Sequence, residues 1–143
     1  MIIYRRLKKT DTMTVRALRA LLAELLEDAG RNYSAASIVR AVKEKNNFIS
    51  AAYEHGALVG TATLMRSVTL KGRCGRIEDV VVRETMRGRG VGRELVRRLI
   101  KEARRQKIKQ LELTSHPKRI AANKLYQSLG FTIRETNVYR MIL

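Results

Sequence analysis

An internal disulfide is ruled out, because Cys74 is the only cysteine in the chain. A lone thiol suits a reducing compartment, so a cytoplasmic protein is expected. Proline is nearly missing (only Pro117), tryptophan is absent, and phenylalanine occurs twice. No Gly/Ser-rich linker and no internal repeat divides the 143 residues, so one domain over 1–143 is expected. No apolar run approaches the ~18 residues of a membrane span. The apolar stretch at Met1, Ile2 and Ile3 is too short to read as a secretory signal. No membrane partner and no metal site are therefore expected. Acidic residues are also scarce: thirteen Asp and Glu stand against thirty Lys and Arg, a net charge of +17.

What is present points to a folded, anion-attracting domain. Hydrophobic residues make up 45% of the chain, enough to build a core rather than leave it disordered. The positive field concentrates anions near the surface. On charge alone, nucleic acid, an anionic lipid surface and a phosphorylated small molecule all fit, and the lack of a membrane segment leaves the first and the last. A salt-laced surface in a heat-adapted protein is the plain alternative. Cys74 lies in Gly72-Arg73-Cys74-Gly75, which reads as a small residue in a loop.

Patterning predicts a strand over 2–7, then a helix capped by Asp11 or Thr12. Val15, Leu18, Leu22 and Leu25 recur at helical spacing, Leu21 and Leu26 widen the face, and Gly30 stops it. Ser34 caps a second helix with Ile38, Val39 and Val42 inward. Strands over 48–53 and 57–68 flank Glu54-His55-Gly56, a hairpin turn. A loop over 71–75 leads to a strand over 76–83, whose Val80-Val81-Val82 run suits burial on both faces. Gly88 to Gly92 opens a long helix with Val91, Leu95, Val96, Leu99, Ile100 and Ala103 on its apolar stripe. A strand over 110–114, a helix over 120–129 ended by Gly130, and one or two closing strands over 131–143 complete the order. The expected fold is α/β (α+β): a mixed, mostly antiparallel sheet of six to seven strands with helices on both faces. The strands over 76–83 and 110–114 should pair in parallel across a right-handed crossover.

The sharpest local signal is Arg87-Gly88-Arg89-Gly90-Val91-Gly92, after a strand and at the opening of a helix. Such a turn leaves backbone N–H groups unpaired at the positive end of the helix dipole. Glycines let a ligand approach the backbone closely. The combination suits a pyrophosphate, and Arg87, Arg89 and Arg93 add charge. A nucleoside-triphosphate loop would need a Gly-Lys-Ser/Thr ending, which is absent. A dinucleotide fingerprint needs G-x-G-x-x-G, whereas the spacing here is G-x-G-x-G. A plain glycine-rich turn is the remaining alternative.

Arg87-x-x-Gly90-x-Gly92 after a strand resembles the acyl-CoA signature of the GCN5-related N-acetyltransferase (GNAT) family. Ala121-Ala122-Asn123-Lys124-Leu125-Tyr126-Gln127-Ser128-Leu129-Gly130-Phe131 is similar to that family's second signature, and the element order fits over the whole chain. The resemblance implies acetyl-CoA as co-substrate and N-acetyl transfer as the activity. It implies that amides from Arg89 to Arg93, with Gly88, bind the pyrophosphate. It also implies that Val80, Val81 and Val82 pair their backbone with the pantetheine arm where the sheet splays. Asn123 would contact the cofactor, and Tyr126 would lie near the sulfur as proton donor.

An ammonium must lose a proton before it can attack, and a carboxylate can take it. Glu78 and Asp79 both lie on the strand beside the implied cofactor. Neighbours on a strand face opposite sides, so one of them should face the site, and Glu78 resembles an acid found there in some family members. His116 is a second candidate base or substrate contact. Two departures bear on the acceptor: 113–116 reads Leu-Thr-Ser-His where N-terminal acetyltransferases often carry a glutamate, and Arg119 stands where asparagine is common. The acceptor is expected to be a small-molecule or protein amine, with an anionic one favoured by the charge. The alternative is a basic nucleic-acid- or ribosome-associated binding protein on a GNAT-like fold, although no segment interleaves aromatic with basic residues. A homodimer is a further candidate, since exposed sheet edges pair readily.

Overall fold

The computed structural model describes residues 1–25 and 33–143. They form two compact units, Met1–Leu113 and Thr114–Leu143. The first holds the sheet: β1 (Ile2–Arg6), β2 (Asn47–Glu54), β3 (Ala57–Thr69), β4 (Gly72–Val82) and β5 (Gln110–Glu112), in that spatial order. The first three pairings are antiparallel and β4–β5 is parallel. The sheet is thus mixed and mostly antiparallel as expected, but it has five strands rather than six or seven. No regular element forms over 131–143, where Ile133, Val138, Met141 and Ile142 are exposed. Alternating apolar residues supply a strand pattern there, but a strand exists only through a ladder to a partner, and no described strand pairs with this segment.

Helices cover both faces. α1 (Thr12–Leu25) starts where the Asp11 carboxylate accepts the Thr14 N–H at 3.0 Å, so Asp11 is the cap. α2 (Ala35–Lys43) is capped by the Ser34 hydroxyl, which accepts from Ser37 N. Val15, Leu18 and Leu21 of α1 and Ile38 of α2 pack with Ile49, Ala51, Leu58 and Val81 in one core cluster. The expected roles of Leu26 and Gly30 in α1 lie outside the described residues. On the opposite face lies α3 (Val91–Arg105), with Val91, Leu95, Val96, Leu99 and Ala103 buried and Ile100 half-buried. Its approach is close: a Cβ on Gly60 of β3 would come within 3.1 Å of Leu95 Cδ1 and 3.2 Å of the Val81 carbonyl oxygen.

Two hairpins set the strand lengths. His55 (φ 48°) and Gly56 (φ 81°) form the β2–β3 turn, where two left-handed residues match the twist of the strands. The β3–β4 turn is shorter than expected. β4 begins at Gly72, so Cys74 sits on a strand opposite Ser67 and Gln110 rather than in a loop. The sequence misleads here because glycines at 72 and 75 look like loop punctuation. Gly75 is instead a packing glycine, since a Cβ there would meet Leu111 Cδ2 at 2.5 Å.

Candidate active site

The parallel pairing of β4 and β5 covers only Cys74 to Arg76, opposite Gln110 to Glu112. Beyond Arg76 no described strand pairs with that edge of β4, and the Val82 carbonyl there accepts from Arg87 Nε. The parallel ladder thus ends before Val80, Val81 and Val82, the stretch where an opening is expected. These valines are not uniformly buried: Val81 enters the core, and Val80 and Val82 are half-buried.

A bulge shapes this edge. Thr61 pairs with Val81 and Thr63 with Glu78, so Asp79 and Val80 together oppose the single residue Ala62. Asp79 has φ 52°, a left-handed conformation that Asp and Asn tolerate best after glycine. The strict alternation that set Glu78 against Asp79 is interrupted at this point. Glu78 is ion-paired with Arg76. The Asp79 residue is exposed overall, but neighbouring atoms crowd its carboxyl, which holds its proton above the usual carboxylate range, first because of desolvation and second because of the nearby Glu78 charge.

After β4, a 3-10 turn (Glu84–Met86) closes with Met86 N to Arg83 O and Arg87 N to Glu84 O. The first bond of α3 outside its own ladder is Glu94 N to Gly90 O. Residues 87–90 close as a turn, but no backbone bond of full hydrogen-bond geometry is donated by Gly88, Arg89, Gly90, Val91 or Gly92 among the described residues. Gly88 and Gly90 have φ 76° and 77°, and a Cβ on either would meet nothing within 4 Å. These glycines serve conformation, and no atom crowds their Cβ positions.

The arginines of the motif behave differently from their amides. Arg89 forks onto Glu54 (2.7 and 3.4 Å) and contacts Met86 Sδ, while Arg87 Nε donates to Val82 O at 3.3 Å. The Glu54 carboxyl is held below its usual range, chiefly by the Arg89 hydrogen bond. Arg93 is exposed on the first turn of α3. On the far side of the turn, Glu24 of α1 pairs with Arg83 (2.9 Å) and accepts Glu84 N–H (2.9 Å). Sequence reasoning missed Glu24 and Glu54, whose partners lie 35 to 60 residues away with no local signal.

The second unit carries α4 (Ile120–Ser128). Gly130 (φ 94°) ends it: Gly130 N donates to Gln127 O, Phe131 N donates to Tyr126 O, and the Phe131 ring meets the Tyr126 ring edge-on at 6.1 Å. This is a Schellman cap with its apolar contact, and it gives the Gly-Phe pair a physical reason. Tyr126 is buried, and its hydroxyl holds its proton above the usual phenol range, through desolvation against a smaller opposing effect of Arg119. Asn123 Nδ2 donates to His116 O at 3.0 Å and to Pro117 O, so its amide closes the loop before α4. His116 Nδ1 accepts from Lys118 N, which places the ring proton on Nε2. Among the described residues, no cluster of three or more His, Cys, Asp or Glu side chains is placed to hold a metal, and no helix is long and apolar enough to cross a membrane.

The fold is shared with solved acetyltransferases. An acetyltransferase of Trypanosoma brucei is 25% identical, with 99% of this chain and all of that chain covered and a TM-score of 0.79. The glucosamine-6-phosphate N-acetyltransferase of Arabidopsis thaliana is 18% identical (99% and 98% covered, TM-score 0.80). A predicted acetyltransferase of Clostridium acetobutylicum, solved with acetyl-CoA, is 19% identical (99% and 96% covered, TM-score 0.77). No curated protein matches the chain at a significant level. The profile of the acetyltransferase (GNAT) family matches residues 15–131, which takes in the end of β4, the glycine turn and α4, so the chain belongs to the GNAT family of acetyltransferases.

Proposed function

We propose that the protein moves the acetyl group of acetyl-CoA to a primary amine by direct attack. The observation that supports this reading is the glycine turn ahead of α3: the amides from Gly88 to Gly92 donate no backbone bond of full geometry, and a Cβ at Gly88 or Gly90 would meet nothing within 4 Å. Acetyl-CoA supplies an activated thioester carbonyl. The amides of the turn hold its diphosphate, and the edge of β4 from Val80 to Val82 aligns the pantetheine arm as an added strand. Asn123 and Arg93 are further proposed contacts.

The chain's own groups then manage protons. A β4 carboxylate takes the proton of the incoming ammonium. Glu78 is the candidate from sequence. Asp79 suits the role better, because its proton affinity is raised whereas Glu78 is held by Arg76. A β4 amide near Val80 to Val82 faces the oxygen that gains charge as the C–N bond forms. The C–S bond breaks, and Tyr126, kept protonated by burial, gives its proton to the departing sulfur. The acceptor we favour is an anionic amine, since a +17 protein repels polycations. The structural likeness to an enzyme named for a phosphorylated amino sugar is in keeping with this.

Calorimetric titration with acetyl-CoA tests the reading, with the Gly90→Glu variant alongside. Binding by the parent and none by the variant is expected; equal affinity in both would remove the proposed site. A panel of amines assayed by thiol release then identifies the acceptor.

A further inference from the structure

Resting on the acetyl-CoA reading, we infer that Glu24, on the last turn of α1, is a positioning residue for the phosphate-gripping turn although it does not belong to it. One carboxylate oxygen accepts from Arg83 Nη1 at 2.9 Å, and the other accepts the backbone N–H of Glu84 at 2.9 Å. Glu84 opens the 3-10 turn that delivers the chain from β4 to Gly88. A 3-10 turn has unpaired amides at its start, and a carboxylate there satisfies one of them and complements the local dipole.

Arg83 is itself fixed by several bonds. Its Nε donates to Leu58 O at 3.1 Å and its backbone N to Val59 O at 2.9 Å, while its carbonyl accepts from Met86 N. Glu24 therefore ties three segments together: α1, the start of β3 through the Arg83 fork, and the first amide of the turn. Met86, buried at the end of the 3-10 turn, anchors the next point along the chain. Between Met86 and α3 the glycines impose no side-chain packing; Arg87 on the Val82 carbonyl and Arg89 on Glu54 hold the turn along its length, and the Glu24 brace fixes where it starts, so the direction of the Gly88 to Gly92 amides depends on the brace together with these two contacts. Loosening the brace lets the amides diverge from a common focus and makes their ordering part of the cost of binding.

The test separates bracing of the turn from general folding. Glu24→Ala removes both contacts, and Glu24→Gln keeps one acceptor oxygen. Affinity is measured by calorimetry for acetyl-CoA and by NMR titration for S-acetylpantetheine, which lacks phosphates. The expected result is roughly tenfold weaker acetyl-CoA binding in Glu24→Ala, a smaller loss in Glu24→Gln, and S-acetylpantetheine affinity within about twofold of the parent. Arg83→Met should weaken acetyl-CoA binding less in the Glu24→Ala background than in the parent, because the two act through one contact. Unchanged acetyl-CoA affinity in Glu24→Ala overturns the inference, as does an equal loss for both ligands. If Glu24→Ala does not fold, the same comparison with Glu24→Gln decides. Absence of acetyl-CoA binding by the parent instead overturns the activity proposed above, and this inference with it.

Discussion

Alanine at Gly90 and alanine at Gly72 should cost the fold alike and divide sharply in ligand binding. Gly90 has φ 77° and Gly72 φ 113°, and a Cβ at either meets no atom within 4 Å. Neither substitution clashes, so each carries only the penalty of a side chain in left-handed backbone, about 1–2 kcal/mol. Chemical denaturation should show similar losses for the two. Gly72 lies at the β3–β4 hairpin, at the start of β4, whereas Gly90 lies in the turn that follows its end. A Cβ at Gly90 stands in the turn where the diphosphate is proposed to rest, so the expected cost there is one amide hydrogen bond to it. The loss of a hydrogen bond to a charged group is worth about 1.5–3 kcal/mol. Calorimetry should therefore show acetyl-CoA bound some tenfold to a hundredfold more weakly by Gly90→Ala, and with parental affinity by Gly72→Ala. Equal binding by the two alanine variants would refute the assignment of the turn, however much stability each had lost.

Tyr126→Phe keeps the ring contact with Phe131, so the fold should hold, while the acetyl-transfer rate falls about a hundredfold with acetyl-CoA affinity unchanged, as steady-state kinetics would show. Asp79 binds its proton more tightly in the folded than in the unfolded chain. Its contribution to stability is therefore present below its ordinary value of 3.8 and fades as pH rises through the raised value. Asp79→Asn should flatten that part of a denaturation-against-pH curve. If Asp79 is the base, the transfer rate climbs with pH over the same window and the variant loses that limb. Leu99, fully buried on α3, should cost about 3–5 kcal/mol when cut to alanine, measured in urea.

Periodicity made the helices legible, because each apolar stripe faces one layer. α3 follows its stripe from Val91 to Ala103, and Ser34 caps α2 as its side-chain chemistry dictates. The glycine turn was legible because positive φ and bare backbone demand a particular residue type. What escaped the sequence was mostly non-local. The Asp79 bulge depends on how β4 registers against β3, and the pairs Glu24–Arg83 and Glu54–Arg89 join residues 59 and 35 apart. The same lesson explains the strands expected over 131–143: apolar alternation names a face, but the partner that makes a strand is chosen elsewhere. The left-handed torsion of Asp79, which places Glu78 and Asp79 differently from a regular strand, is encoded by no local pattern.

The half of β4 that β5 leaves uncovered bears on how the purified protein behaves. A bare row of peptide groups is an invitation to any extended chain, including another copy of this one. Strong like charge keeps such copies apart in dilute buffer, but that protection fades as ionic strength shrinks its reach. Clumping should therefore worsen with added salt in preparations stripped of coenzyme and, on the proposed binding of acetyl-CoA along this row, ease when it is added; unchanged clumping would count against that placement.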